Sequence, residues 1–200
     1  MDQARALLLI LQQPWVAVPL CLAVVAALLA LRRPWVACYV GLLPLINWSF
    51  AAVPTAAIPE QLGGGQFQPL AIVTGLVLVA RDFAQREVGH KVLLAMLLGL
   101  ALSTLTSWIT VVVASGAAFL ISESVDWLVY STSRRPLSQR IMISSTVSAP
   151  LDQVAFIYLA SFAVPGIFAW GTVLTGIASK LAGAALVAWW VAGRERQGLG

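Results

Sequence analysis

The chain has 200 residues, of which 60% are hydrophobic and only 10% charged. A soluble domain carries roughly 25% charged residues, so this chain cannot cover a globule with polar surface, and one integral membrane domain over residues 1–200 is expected. A formal net charge of +4 does not point to nucleic acid, because the basic residues fall in short runs between apolar segments and form no continuous stripe.

A bilayer core needs about 20 mostly apolar residues per helix. Seven stretches come near that length: 15–31, 35–53, 67–83, 92–113, 115–131, 141–163 and 167–192. The fold class expected is therefore an all-α, polytopic membrane bundle. The first stretch runs straight into Arg32, Arg33 and Pro34 with no small-residue cleavage signature, which predicts a retained span and not a removed signal peptide. Cys21 and Cys38 lie in apolar segments, and no disulfide framework is expected. Between the second and third stretches, PTAAIPEQLGGGQFQP reads as a loop on its prolines and glycines. It is either an outer lid or a flexible connection. Its triple glycine, Gly63 to Gly65, is no phosphate cradle, because no Lys-Ser/Thr follows. The long apolar run 92–131 is expected to divide at Ala114-Ser115-Gly116.

The basic residues test this count. Arg32, Arg33, Arg81, Arg86, Lys91, Arg134, Arg135, Arg140, Arg194 and Arg196 all fall on one side of a seven-span topology. The other side holds Arg5 alone, and Lys180 lies inside a span. Cytoplasmic loops are enriched in Lys and Arg, so the amino terminus should face out and the carboxyl terminus the cytoplasm. The membrane expected is a cell membrane, the inner one of a bacterium. Trp15, Trp35, Trp108, Trp127, Trp170, Trp189 and Trp190 fall mostly near span ends, as interfacial anchors do.

Chemistry gathers in the second half. Two segments repeat a pattern, Ser122-x-x-Val125-Asp126 and Ser148-x-x-Leu151-Asp152. At about 1.5 Å of rise per residue, Glu123, Asp152 and Lys180 come near the middle of the membrane, with Asp126 about one turn further inward. A charge at the helix centre costs roughly 2.5–3.5 kcal/mol on insertion scales, so these groups must pair, protonate or face a wet cavity. Ser115, Phe119, Ser122 and Asp126 form one helical stripe, with Glu123 beside it, and Ser145, Ser148 and Asp152 form a second. The serines alone are explained by helix packing; three acids are not. Lys180 either neutralises one acid or donates to a solute carbonyl. Arg81, Asp82 and Arg86 are expected at the inner surface, with Asp82 and Arg86 paired at i,i+4, as a solvated helix end or an inner gate. Asn47 is a candidate donor, and His90 is given no ligand role.

Several chemistries are excluded by absent motifs. There is no GxxxxGK[ST] for ATP, no His/Cys cluster or HExxH for zinc, no GxGD around the aspartates and no GxSG. No catalysis, cofactor or metal is expected.

ARDFAQREVGHK (Ala80–Lys91), AAFLISESVDWLVYS (Ala117–Ser131), RIMISSTVSAPLDQVAFIYLA (Arg140–Ala160) and the late Ser179–Lys180 pair resemble the queuosine precursor transporters, also called the vitamin uptake transporter (VUT) family. The likeness spans about residues 35–192. It implies a six-span core over 35–193, with 1–34 as an additional span, built like the substrate-binding subunits of energy-coupling factor transporters. It also implies import of 7-cyano-7-deazaguanine, or its aminomethyl relative, for salvage into the tRNA base queuosine. On that footing Glu123 or Asp152 accepts the paired N–H and amino groups of a guanine-like edge, and Asp126 faces an aminomethyl cation. Lys180 or Asn47 donates to the ring carbonyl, and Phe67, Phe119 or Trp127 stacks on the base. Ser122 and Ser145 line the same stripes. The alternatives are another vitamin-like solute, or a capture subunit that depends on a separate ATPase. The partners expected are the solute, the lipid bilayer, and an energising module or a second copy.

Overall fold

The computed structural model describes residues 9–107, 109–162 and 166–197. Arg5 and Trp108 therefore lie outside the described residues. Within them the chain forms seven α-helices: α1 (Pro14–Ala30), α2 (Pro34–Ala52), α3 (Ala71–Val88), α4 (Val92–Thr106), α5 (Ile109–Thr132), α6 (Leu137–Ser161) and α7 (Trp170–Arg196). The only strands among the described residues are β1 (Ala56–Ala57) and β2 (Gln66–Phe67), an antiparallel pair. By length and composition, three helical runs can cross a bilayer: Ala71–Thr106, Val112–Thr132 and Trp170–Arg196. The first holds both α3 and α4. Gly89, at a φ of 61°, ends α3 and opens the 3-10 turn Gly89–Lys91 that reverses the chain.

Contacts at the helix ends show an up-and-down bundle. On one face, the Arg33 guanidinium donates to the Glu87 carbonyl at 3.0 Å, Trp35 stacks on Phe83, and the Ser138 hydroxyl donates to Glu195 at 2.6 Å. These contacts join the starts of α2 and α6 to the ends of α3 and α7. On the opposite face, the Gln12 amide donates to the Thr104 carbonyl at 2.8 Å, and Gln68 donates to the Ser49 carbonyl at 2.9 Å. The helices neighbour one another in the ring order α2, α3, α7, α6, α5, α4, with α1 outside on α2 and α4.

Large apolar side chains cover the outside, among them Leu94, Leu97, Leu128, Val113, Leu174 and Leu186. Trp15, Trp35, Trp170, Trp189 and Trp190 are exposed near helix ends. This is the surface of a lipid-facing bundle with interfacial aromatics.

Three apolar clusters fill the inside and leave a polar centre between them. One joins α1–α4 through Tyr39, Leu43, Val77, Val92 and Met96, with Phe119 of α5 added. A second joins α5, α6 and α7 through Ala118, Phe156, Ile157 and Val173. A third joins α3, α6 and α7 through Val79, Ile141, Ala184 and Val191. Helices α3 and α7 touch at backbone distance. A Cβ on Gly75 would collide with the Lys180 backbone, and one on Gly183 would meet the Ile72 carbonyl. Small residues allow such approaches between membrane helices. Gly75→Ala should therefore force α3 and α7 apart and destabilise by about 1–3 kcal/mol. A thermal ramp of the detergent-purified variant, read by size-exclusion fluorescence, measures this.

Two expected boundaries are corrected. The run 92–131 breaks at Ser107, whose backbone is extended at φ −145° and ψ 165°, while α5 passes through Ala114-Ser115-Gly116 without interruption. Those small residues act as packing contacts: Gly116 comes up against Leu100 of α4. The third helix starts at Ala71 and continues to Val88, so Phe67 falls in β2 and Arg81 falls well inside the helix. Arg81 is consequently not a loop charge.

The loop 54–69 is ordered. Gly171 N–H donates to the Gly63 carbonyl at 3.1 Å, and the Thr172 hydroxyl accepts from Gln66 N–H at 2.9 Å. The hairpin is thereby fastened onto the start of α7. Gly63, at a φ of 93°, packs so close to Gly171 that neither tolerates a side chain.

Candidate polar site between the helices

Helix α3 brings Arg81 to the centre of the bundle, where its side chain has no exposed surface. Its Nη1 donates to Asp82 Oδ1 at 2.9 Å and to Asp126 Oδ2 at 2.5 Å. Its Nη2 donates to the Glu123 carbonyl at 3.1 Å, and its Nε lies 2.9 Å from Glu123 Oε2. The Tyr39 hydroxyl of α2 also donates to Glu123 Oε2, at 3.3 Å. One guanidinium thus organises three carboxylates from two helices, and all four side chains are buried. Arginine suits this position because its planar fork of donors can serve several carboxylates at once.

A second ion pair lies beside the first. Lys180 of α7 donates to Asp152 Oδ2 of α6 at 2.5 Å, with both side chains almost fully buried. The Ser122 hydroxyl donates to Asp152 Oδ1 at 3.2 Å. The two copies of the repeated pattern therefore interlock, the serine of the first bonding the aspartate of the second. Because Ser122 precedes Glu123 in α5, it links the two ion clusters. Pro150 lies inside α6 two residues before Asp152, and a helical proline interrupts the backbone ladder one turn back, loosening the helix where it carries its acid.

Lys180 also floors a narrow cleft of about 40 Å³ that opens toward the hairpin. Gln66, Gln68, Thr74, Gln153, Thr172 and Thr175 line it. Gly176 leaves the space that the Gln153 amide occupies. A water needs about 10–15 Å³ of such cavity space and a benzene-sized ligand about 150 Å³, so the cleft in this conformation holds a few waters and is too small for a bicyclic base. Several buried atoms around the site have no hydrogen-bond partner: Glu123 Oε1, Asp126 Oδ1, Asp82 Oδ2, and the hydroxyls of Ser145 and Ser148. Buried polar atoms are normally paired, so these are open valences.

The structure brings together Glu123, Asp126, Asp152, Lys180, Ser122, Arg81 and Asp82. It separates others. Asn47 is buried on the α2–α4 seam, where its amide donates to Ser103 at 2.9 Å. Phe119 belongs to the apolar cluster of α1–α4, one turn from Glu123. Trp127 is held at the rim beside the Gly89–Lys91 turn, its indole donating to His90 Nδ1 at 3.0 Å, and Phe67 sits in the hairpin at the opposite end of the bundle. Neither flanks the ion clusters. The expected Asp82–Arg86 pairing is not formed. Asp82 pairs instead with Arg81, while Arg86 is exposed, because their helix runs five residues further than its apolar stretch and buries the first two.

Sequence reasoning missed Tyr39, Gln68, Gln153 and the central place of Arg81. The available signal for Arg81 was its i,i+4 spacing from the apolar Val77, which faces the bundle. Among the described residues no group of three or more His, Cys, Asp or Glu side chains is arranged to hold a metal ion.

A helical bundle with a lipid-like exterior and two ion clusters at its centre defines a polytopic membrane protein built around a buried polar site. Residues 66–193, from β2 through α7, match the family described as "Putative vitamin uptake transporter", and the chain belongs to that family. The match includes every acid of the site and both of its cations. No curated protein and no solved structure matches the chain.

Proposed function

We propose that this protein imports a queuosine precursor, 7-cyano-7-deazaguanine or its aminomethyl relative, across the bacterial inner membrane for tRNA queuosine salvage. The observation that carries the reading is Lys180 at the floor of a cleft walled by the Gln68 and Gln153 amides, with Asp152 paired to it from behind. A guanine-like edge offers an N–H and an amino group side by side, which one carboxylate accepts together. On reaching the floor, that edge takes Asp152 and releases Lys180 to donate to the ring carbonyl. Glu123 Oε1, Ser145 and Ser148 supply further open valences one to two turns inward. All seven helices span the bilayer in this reading, with α1 added to a six-helix core and the hairpin on the outer side. The cleft is closed to a bicyclic base, so the hairpin must lift from Gly171 and Thr172 to admit it.

A ligand that binds the folded state stabilises it by RT ln(1 + [L]/Kd), about 2.7 kcal/mol at a hundredfold excess over Kd. In detergent, 7-cyano-7-deazaguanine should raise the Tm by several degrees, while guanine gives a smaller rise and biotin or thiamine none. Stabilisation by biotin or thiamine alone would assign the site to another solute.

A further inference from the structure

We propose that Asp82 and Asp126 share a proton on the Arg81 guanidinium, and that this proton crosses the membrane with the solute. The inference rests on the transport reading above and adds its driving force.

Asp82 Oδ1 and Asp126 Oδ2 meet the same nitrogen, Arg81 Nη1, at 2.9 and 2.5 Å. Glu123 takes the Nε edge of the same guanidinium at 2.9 Å. With every group ionised, one cation would face three buried carboxylates at a net charge of −2; one proton held by Asp82 and Asp126 halves this, and the Tyr39 hydroxyl donates to the remaining Glu123 carboxylate. Carrying an unpaired carboxylate out of water is prohibitive, and the group neutralises instead. Two carboxylates that share one site disfavour each other's ionisation, so that one of them holds a proton.

No other cation meets this demand. Helices α1 and α4 carry no Asp, Glu, Lys, Arg or His. From α2 the nearest titratable group is the Tyr39 phenol, which is bonded to Glu123. From α6 and α7, Asp152 and Lys180 satisfy each other. Arg140 of α6 lies at the inner end of the bundle, donating to the Tyr130 carbonyl at 2.7 Å with its guanidinium over the Tyr130 ring. Arg86 is exposed. No metal-holding group exists among the described residues.

A second observation points the same way. The Tyr130 hydroxyl is buried, has no hydrogen-bond partner, and lies within electrostatic reach of Asp82. It stands two residues from the inner end of α5. From outside to inside, the polar groups follow one another as Lys180, Asp152, Ser122, Glu123, Arg81 with Asp126 and Asp82, and then Tyr130. The proton site therefore lies on the cytoplasmic side of the proposed solute site and is joined to it through Ser122 and Glu123. A solute that draws on Glu123 alters how much of Arg81 remains for the aspartates, which couples the two.

The test uses purified protein in liposomes with 7-cyano-7-deazaguanine. An inward proton gradient should accelerate wild-type uptake several-fold, a protonophore should remove the acceleration, and a sodium gradient should have no effect. Infrared spectra of the wild type at neutral pH should show the C=O stretch of a protonated carboxyl group, and this band should shift on solute addition. Asp82→Asn should still be thermally stabilised by the solute but take it up at a rate indifferent to the gradient. Should that variant not fold, the wild-type band and its response to solute decide the matter. Gradient-independent or sodium-driven uptake, or an absent band, overturns the proposal and leaves transport standing. A solute that neither stabilises the protein nor crosses overturns the transport reading itself.

Discussion

Replacing Arg81 by methionine is expected to remove most of the folded protein. Breaking a buried ion pair by deleting one partner costs about 3–5 kcal/mol, because the other charge stays buried and uncompensated. Here a single deletion orphans three carboxylates from α3 and α5. Whole-protein stability is only about 5–15 kcal/mol. Arg81→Lys should recover little, since an ammonium is a point charge that cannot span three acids as a planar fork does. Acidification, which neutralises the orphaned acids, should recover part of the loss. So should adding Glu123→Gln and Asp126→Asn to Arg81→Met. Fluorescence-detected size exclusion after a thermal ramp, at two pH values, checks all four outcomes.

The Lys180–Asp152 pair separates stability from function. Lys180→Met alone leaves a buried carboxylate, and Asp152→Leu alone leaves a buried ammonium. Each should destabilise by about 3–5 kcal/mol. The double variant removes both charges, and exchanging a buried pair for apolar side chains of similar size is often neutral or stabilising. It should therefore fold about as well as the wild type. It should nevertheless bind no deazaguanine, because the donor at the floor of the cleft and the acceptor paired with it are both gone. If these groups were only structural, the double variant would keep its solute-induced thermal shift.

Helix number and alternation were legible because they depend on the lengths of apolar runs and on where Lys and Arg fall between them. The polar stripes of α5 and α6 were legible from helical periodicity, and Ser122, Asp126, Ser145, Ser148 and Asp152 are indeed buried. Helix ends were less so. Arg81 and Asp82 read as a solvated terminus because charge normally ends a span. The carboxylates supplied by α5 let the helix carry that charge inside and stop instead at Gly89. The break at Ser107 was equally hidden, since no charged residue lies between 92 and 122 to mark it, and small residues at 114–116 suit a helix contact as readily as a turn. Pairings were not legible at all. That Ser122 reaches Asp152, or that Asn47 finds Ser103, follows from the ring order of helices, which apolar periodicity does not encode. The cleft depends on the hairpin, whose docking rests on the contact of Gly63 with Gly171. A glycine-rich loop does not announce its partner.

Uptake by the purified chain tests most directly the claim that a solute is carried past this buried pair. In liposomes containing the wild type, radiolabelled 7-cyano-7-deazaguanine should enter saturably. Uptake should fall to the protein-free rate in liposomes containing the folded Lys180→Met/Asp152→Leu variant. Equal uptake by the two proteins would contradict the account.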